Sequence, residues 1–212
     1  MSFQSSLLDP EKGESLPLTE ADLVLFPNVE LGADSAQIFT HLQDETPWSQ
    51  ETIKLYGKTH LQPRLIAWYG DPNAVYAYSG KQYQPLAWTP LLNDLKVRME
   101  SICNASFNSV LLNFYRDGAD SMGLHADDEP ELGPEPCIAS LSLGEERTIY
   151  FKHKKRKELK SHNVVLPNAS VLRMQGETQQ HWKHGIRKVT RRCGPRINLT
   201  FRWIYSREEL PG

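Results

Sequence analysis

The chain is poor in cysteine and has no long apolar run. Its three cysteines, Cys103, Cys137 and Cys193, stand far apart among 212 residues. Neither a disulfide framework nor a zinc-type CxxC pair is written into such spacings. No apolar stretch approaches the ~20 residues that a membrane-crossing helix needs, so no membrane partner is expected. The opening MSFQSSLLDPEKGE lacks the basic start and apolar centre of a secretory leader. The expected setting is the reducing cytoplasm, or the nucleus in a eukaryote. Internal repeats are also missing, which sets solenoids and propellers aside. What remains is a chain long enough to bury a substantial core as one folded unit.

Charge is scarce in sum and abundant in distribution. The net charge is −2, but residues 1–150 hold 9 Lys/Arg against 22 Asp/Glu, a net of −13. Residues 151–202 hold 14 Lys/Arg against Glu158 and Glu177, a net of +12. A solvated basic face explains a lone cluster such as KHKKRK; a block this one-sided also fits a polyanionic partner.

Three parts can be read along the chain. Residues 1–50 form an N-terminal extension with one helix near Asp34–Glu45. Residues 51–88 alternate short β-like runs (RLIAWYG, AVYAYSG) with Gly and Pro, giving irregular strands and loops. TPLLNDLKVRMESIC then offers Thr89 as N-cap, Pro90 in the first turn, and an apolar stripe of Leu92, Leu95, Met99 and Ile102. This helix closes a segment 51–105. From 106 to 206 the period becomes two. Strands are expected over 108–116, 137–144, 147–154, 170–175 and 195–205, with 152–162 an exposed hairpin loop. Several short strands without helices between them favour an antiparallel sandwich or jelly roll, hence an α+β chain.

Two features of this β region point to chemistry. In PRINLTFRWIY, Arg196, Asn198, Thr200 and Arg202 share one face, while Ile197, Leu199, Phe201 and Trp203 share the other. A half-exposed strand gives the same alternation. If the polar face turns inward, its two arginines need anionic partners. They lie roughly 20 Å apart along an extended strand and would bracket a short dicarboxylate, with Asn113 and Tyr115 adding hydrogen bonds from another strand. In GLHADDEP, His125 and Asp127 sit at i and i+2. That stretch alone is a polar turn; with a distant histidine, His181 or His184 of QQHWKHGI, it becomes two imidazoles and one carboxylate. Such a set holds Fe(II) and leaves positions open for a 2-oxo acid and O2.

Taken together, NFYRDGADSMGLHADDE (113–129), HWKHGI (181–186) and PRINLTFR (195–202) resemble the AlkB family of Fe(II)/2-oxoglutarate-dependent dioxygenases. The resemblance covers roughly residues 56–204 and leaves the first fifty unmatched. It implies a double-stranded β-helix (jelly-roll) core with N-terminal helices and a nucleotide-recognition lid. It makes His125, Asp127 and His184 the iron ligands, His184 being preferred to His181 by its HGI context. It makes Asn113, Tyr115, Arg196, Asn198 and Arg202 the 2-oxoglutarate-binding set, with Arg196 and Tyr115 on the distal carboxylate and Arg202 nearer the metal.

The activity implied is oxidative dealkylation of N-alkylated bases in DNA, consuming O2 and 2-oxoglutarate and releasing succinate and formaldehyde. Alternatives are an oxygenase of the same fold acting on RNA or protein, and a non-catalytic nucleic-acid-binding module, which an intact triad disfavours. A base must leave the stack to reach a buried metal. Tyr76 and Tyr78 of VYAYSG are therefore expected to contact it, and Tyr56 of KLYGK to fill the gap left behind. Arg64, Asp128 and Glu129 are expected on the substrate side, Asp128 holding Arg64 or a lid residue. Lys154, Lys155 and Arg156 would grip phosphates. The protein is expected to act as a monomer.

Overall fold

The computed structural model describes residues 13–206 except 56, 57, 75, 79 and 80; the side chains of residues 53–59 and 75–83 also lie outside the description. The chain opens with β1 (Glu14–Leu16), β2 (Asp22–Phe26) and α1 (Ser35–Glu45). Next come the strands β3 (Thr52–Leu55), β4 (Lys58–Leu61), β5 (Leu65–Gly70), β6 (Tyr76–Tyr78) and β7 (Lys81–Tyr83), followed by α2 (Pro90–Cys103). The β region contains β8 (Ser109–Tyr115), β9 (Met122–His125), β10 (Ile138–Gly144), β11 (Arg147–His153), β12 (His162–Leu166) and β13 (Ser170–Gln175). A short α3 (Thr178–His181) leads into β14 (Trp182–Ile186), and β15 (Arg196–Arg202) follows.

Both long helices begin where the sequence provides a cap. The Asp34 carboxylate accepts from the Ala36 and Gln37 amides, and the Thr89 hydroxyl from the Leu92 amide, filling donors that a first turn leaves unsatisfied. Asn104 ends α2 in the left-handed region (φ 50°). The buried stripe of α2 is Leu92, Leu95, Met99 and Cys103. Ile102, expected in that stripe, is only partly covered.

Eleven of the fifteen described strands form two antiparallel sheets. The larger has the order β1-β2-β13-β10-β15-β8-β5, the smaller β12-β11-β14-β9. Alternation along each central strand then sorts side chains into two layers. Ile197, Leu199 and Phe201 of β15, Leu141 of β10 and Leu112 of β8 pack with Leu95 and Met99 under the helices. Burying a side chain of this size contributes about 1.5–3 kcal/mol. Between the sheets lies a second core of Tyr115, Ile149, Phe151, Leu172, Met174 and Trp182. The opposite parity of β15 (Arg196, Asn198, Thr200) faces this interior and is also buried. The jelly-roll expectation holds, and the inward option for the polar face of β15 is the one realised.

Three features differ from the reading of the sequence. Strand β2 pairs with β13 in register Val171↔Phe26 through Gln175↔Asp22, so part of residues 1–50 belongs to the major sheet. Pairing partners so distant in sequence leave no local signal. The last strand ends at Arg202, and Trp203 is exposed. The short β9, β12 and β14 lie outside the expected strands, because four or five residues leave little length in which a period of two can be read. Hairpins β3–β4 and β6–β7 form two-stranded sheets of their own, while β5 joins the major sheet.

Strands β9 and β14 cross closely. His184 pairs with His125, and the register shifts between His184 and Ile186. A Cβ added to Gly185 would lie 2.8 Å from the Met122 carbonyl oxygen and 3.0 Å from that of Gly123, whereas one added to Gly123 meets nothing within 4 Å. Gly185→Ala is expected to cost about 1–3 kcal/mol through forced backbone movement, and Gly123→Ala to stay within about 0.5 kcal/mol. Denaturant midpoints of the two variants check this. Equal losses at both positions would show that the crossing is not tight.

Candidate metal and 2-oxo acid site

Strand pairing brings the chemistry-bearing residues of two distant motifs together. His125 ends β9, His184 lies directly across on β14, and Asp127 follows two residues later. The ligating atoms of these three residues all lie within 4.8 Å of one another. The two rings are 4.4 Å apart at their centroids, and His125 Nε2 is 3.7 Å from Asp127 Oδ1. His125 Nδ1 lies 3.0 Å from the Gly123 carbonyl oxygen. A carbonyl only accepts, so Nδ1 carries the proton and Nε2 presents its lone pair to the cluster.

The electrostatics suit a cation. Burial, reinforced by neighbouring His125, pushes the His184 imidazolium pKa down to about 3, leaving a neutral ring. Burial also opposes ionisation of Asp127, but the Arg202 guanidinium beside it works the other way and the carboxyl stays below its ordinary value. Asp127 Oδ2 and His184 Nδ1 are buried without a hydrogen-bond partner among the described residues. Orphaned buried polar atoms are costly. Two imidazoles and a carboxylate with an unpartnered oxygen fit Fe(II) held by three protein ligands.

His181 does not join them. It stacks on His153 (5.8 Å, 26°) and, with Glu20, forms a second His/Glu cluster. There His153 Nδ1 accepts the Lys155 and Arg156 amides at 3.2 and 2.9 Å, which fixes Nε2 as the N–H donor to Glu20 at 2.8 Å. With its Nε2 lone pair occupied by a proton, His153 is a latch for the hairpin and a poor metal ligand.

The inward face of β15 continues the site. Arg202 Nη2 donates to Asp127 Oδ1 at 3.0 Å. Six residues away, Arg196 is 1% exposed, donates through Nη2 to Ser142 Oγ at 2.9 Å, and lies over the Tyr115 ring at 5.2 Å. Burial pushes its pKa down to about 10, with Tyr115 opposing the shift. Asn198 sits between them, donating to Ser140 Oγ and the Leu141 carbonyl. Arg196 Nε and Nη1 and Arg202 Nε have no partner among the described residues. A buried Arg196 and a partly buried Arg202, each with a spare donor and both lining one cavity that also meets the His/Asp cluster, fit an anion with a charge at each end.

Other expected site residues fall elsewhere. Arg64 is buried and donates through Nε to Asn113 Oδ1 at 2.7 Å. It therefore supports the interior site, because it leads into β5, where Ile66 pairs with Asn113. Asp128 does not hold Arg64; its partner is Lys154, at 2.6 Å. Lys154 is thus not a spare cation for phosphate, since its Nζ also donates to the Gln179 carbonyl at 2.7 Å. Lys155 and Arg156 are exposed, Arg156 pairing with Glu158 and Glu20. Glu129 is half-buried and precedes the 3-10 turn Pro130–Leu132. Tyr56 lies outside the described residues; Tyr76 and Tyr78 are described by their backbone in β6 alone. The sequence reading missed Ser140 and Ser142, whose i, i+2 spacing in CIASLSLG was a legible signal. It also missed Gln179, for which no signal existed.

Comparison with known proteins agrees with this geometry. Residues 22–202 match the family model of the 2OG-Fe(II) oxygenase superfamily, a span that begins in β2 and so includes part of the segment first left unmatched. The chain is 38% identical to mouse alpha-ketoglutarate-dependent dioxygenase alkB homolog 3 over 197 residues, covering 89% of this chain and 68% of that one. It is 36% identical to mouse DNA oxidative demethylase ALKBH2 over 181 residues, covering 81% and 76%. Among solved structures, that of OsALKBH1 shares the fold with a TM-score of 0.60 at 19% identity, covering 91% of this chain and all of that one. A chain that matches the superfamily model over most of its length, and these relatives at such identity, belongs to the AlkB family of Fe(II)- and 2-oxoglutarate-dependent dioxygenases.

Proposed function

We propose that this enzyme removes alkyl groups from the nitrogens of DNA bases by oxidation. The observation that carries the reading is the shared cavity: a His/Asp/His cluster with orphaned polar atoms meets the buried Arg196 and the partly buried Arg202, both with orphaned donors. His125, Asp127 and His184 would hold Fe(II), and Arg196 with Tyr115 would take the distal carboxylate of 2-oxoglutarate. Arg202 would serve the end nearer the metal, while Asn198 and Asn113 line the path between. When bound, the iron supplies activation of O2, coupled to decarboxylation of 2-oxoglutarate to succinate. The residues of the chain orient the co-substrate, exclude water and keep the His184 imidazole neutral. An N-methyl group gains one oxygen atom; the resulting N-hydroxymethyl group then breaks its C–N bond, giving formaldehyde and the restored N–H.

The DNA substrate is supported by the relative named a DNA oxidative demethylase and by the distribution of charge. On the outer face of the smaller sheet, Lys152 of β11 lies directly opposite Lys183 of β14, and both are exposed. Like charges placed opposite each other destabilise a sheet. Arg187 lies 4.0 Å over the Tyr150 ring nearby. This strip, with Lys155 and Arg156 at the hairpin, would follow a phosphate backbone. Hairpins β3–β4 and β6–β7, outside the two main sheets, would form the lid over the damaged base, with Tyr56, Tyr76 and Tyr78 its aromatic contacts. Glu129 would face the same side. Among the described residues no helix is long and apolar enough to cross a membrane.

The test is formaldehyde release from one methylated base placed in matched single-stranded DNA, duplex DNA and RNA, with Fe(II) and 2-oxoglutarate present. Turnover on either DNA is expected; turnover on RNA alone would move the reading to RNA. In the same assay His184→Ala is expected to lose activity to background and His181→Ala to keep most of it, and the reverse order would reassign the ligand. Lys155→Ala combined with Lys183→Ala is expected to lower the salt dependence of duplex binding by about 0.9 in log–log slope for each phosphate no longer neutralised. An unchanged slope would leave these lysines as a solvated face.

A further inference from the structure

Asp127 stands in residues 126–129, past the end of β9 and outside regular structure. No ladder hydrogen bond therefore fixes its backbone, although its carboxylate must be aimed within a buried cluster. Its amide donates instead to Gln179 Oε1 at 3.0 Å. Gln179 is 1% exposed, so water does not replace that acceptor. Its own carbonyl accepts from Lys154 Nζ at 2.7 Å, and the same ammonium donates to Asp128 Oδ2 at 2.6 Å. One residue thus grips two consecutive residues of the loop, Asp127 directly and Asp128 through Lys154.

The grip is anchored on both other sides. Gln179 belongs to α3, the turn that runs straight into β14 and His184. The Thr178 hydroxyl donates to the Gln175 carbonyl at 2.6 Å and accepts the Asp22 amide at 2.9 Å, tying this turn to the major sheet. The Lys154 amide donates to the His181 carbonyl at 2.8 Å. The lead-in to one histidine of the triad therefore holds the loop that carries its carboxylate.

We infer that Gln179 is a positioning residue for Asp127, and that Lys154 and Asp128 complete a clamp which sets where the Asp127 carboxylate points. This assigns Lys154 to the support of the metal site. It rests on the reading of His125, Asp127 and His184 as metal ligands.

Co(II) titration of the metal-free protein, followed by visible absorption, tests the clamp without turnover. Gln179→Leu keeps the volume and removes the acceptor; it is expected to weaken Co(II) affinity 10- to 100-fold, the usual range for groups that orient ligands. Gln179→Glu retains an acceptor oxygen and is expected to recover most of that loss. Lys154→Met, at a half-exposed position, is expected to fold normally, alter the Co(II) spectrum and weaken binding several-fold. Thermal midpoints of the metal-free variants separate these effects from unfolding. Affinity of Gln179→Leu within twofold of wild type, or equal weakness in the Leu and Glu variants, would overturn the assignment. Should Gln179→Leu fail to fold, Lys154→Met decides: an unchanged spectrum and affinity would overturn the clamp. His184→Ala distinguishes the underlying reading, because wild-type Co(II) affinity in that variant would remove the metal site itself.

Discussion

The contact between Arg202 and Asp127 joins the parts of this molecule. Arg202 belongs to the central β15 of the larger sheet, and Asp127 to the loop leaving the smaller one. A carboxylate this buried is costly to ionise alone. The guanidinium 3.0 Å away offsets that cost and leaves Oδ2 free. The arginine in turn keeps Nε unspent. Each partner is half satisfied by the other and half reserved for something else. That arrangement stabilises a fold less than a fully paired bridge would, and it leaves donors and acceptors facing one cavity.

The rest of the site follows from the parity of β15. Its odd-numbered residues Ile197, Leu199 and Phe201 meet the helices, so Arg196, Asn198 and Thr200 have no choice but the space between the sheets. A one-residue slip would bury the arginines against α2 and present leucine to the cavity. The neighbouring strands answer this face in kind. Ser140 and Ser142 of β10 receive the Asn198 and Arg196 donors, while Tyr115 of β8 lies under Arg196. The polar inward face is a property of three adjacent strands, and the apolar reverse side of those strands holds it in register.

This division explains which parts could be read from the sequence. Where a strand is long and its faces differ in polarity, as in β15, alternation alone separates core from site. The capped, striped α2 was equally legible because its signals are local. The positions of β2, β9 and β14 were not, since each is short and its partner lies far away along the chain. Register across β9 and β14 is what turns two separated histidine motifs into one cluster, and periodicity does not encode register. Gln179 was invisible for a related reason. Its role comes from a main-chain amide 52 residues distant, and any acceptor of suitable reach would have looked the same in sequence.

The three acids that follow His125 show how closely spaced charges acquire separate roles. Asp127 and Asp128 are adjacent, yet one is 3% exposed against Arg202 and the other lies at the surface against Lys154. An extended chain turns successive side chains to opposite sides, so the loop distributes its charge inward and outward without needing a bend. The same step explains why the acidic first two-thirds and the basic last third of the chain do not simply cancel. One meeting point, Asp127 with Arg202, lines the cavity, and the other, Asp128 with Lys154, lies at the surface beside it in sequence. Other cations, Lys152, Lys183 and Arg187, lie exposed on the outer face of the smaller sheet. Charge is thus neutralised along the loop that carries Asp127 and left exposed on the outer face of the smaller sheet.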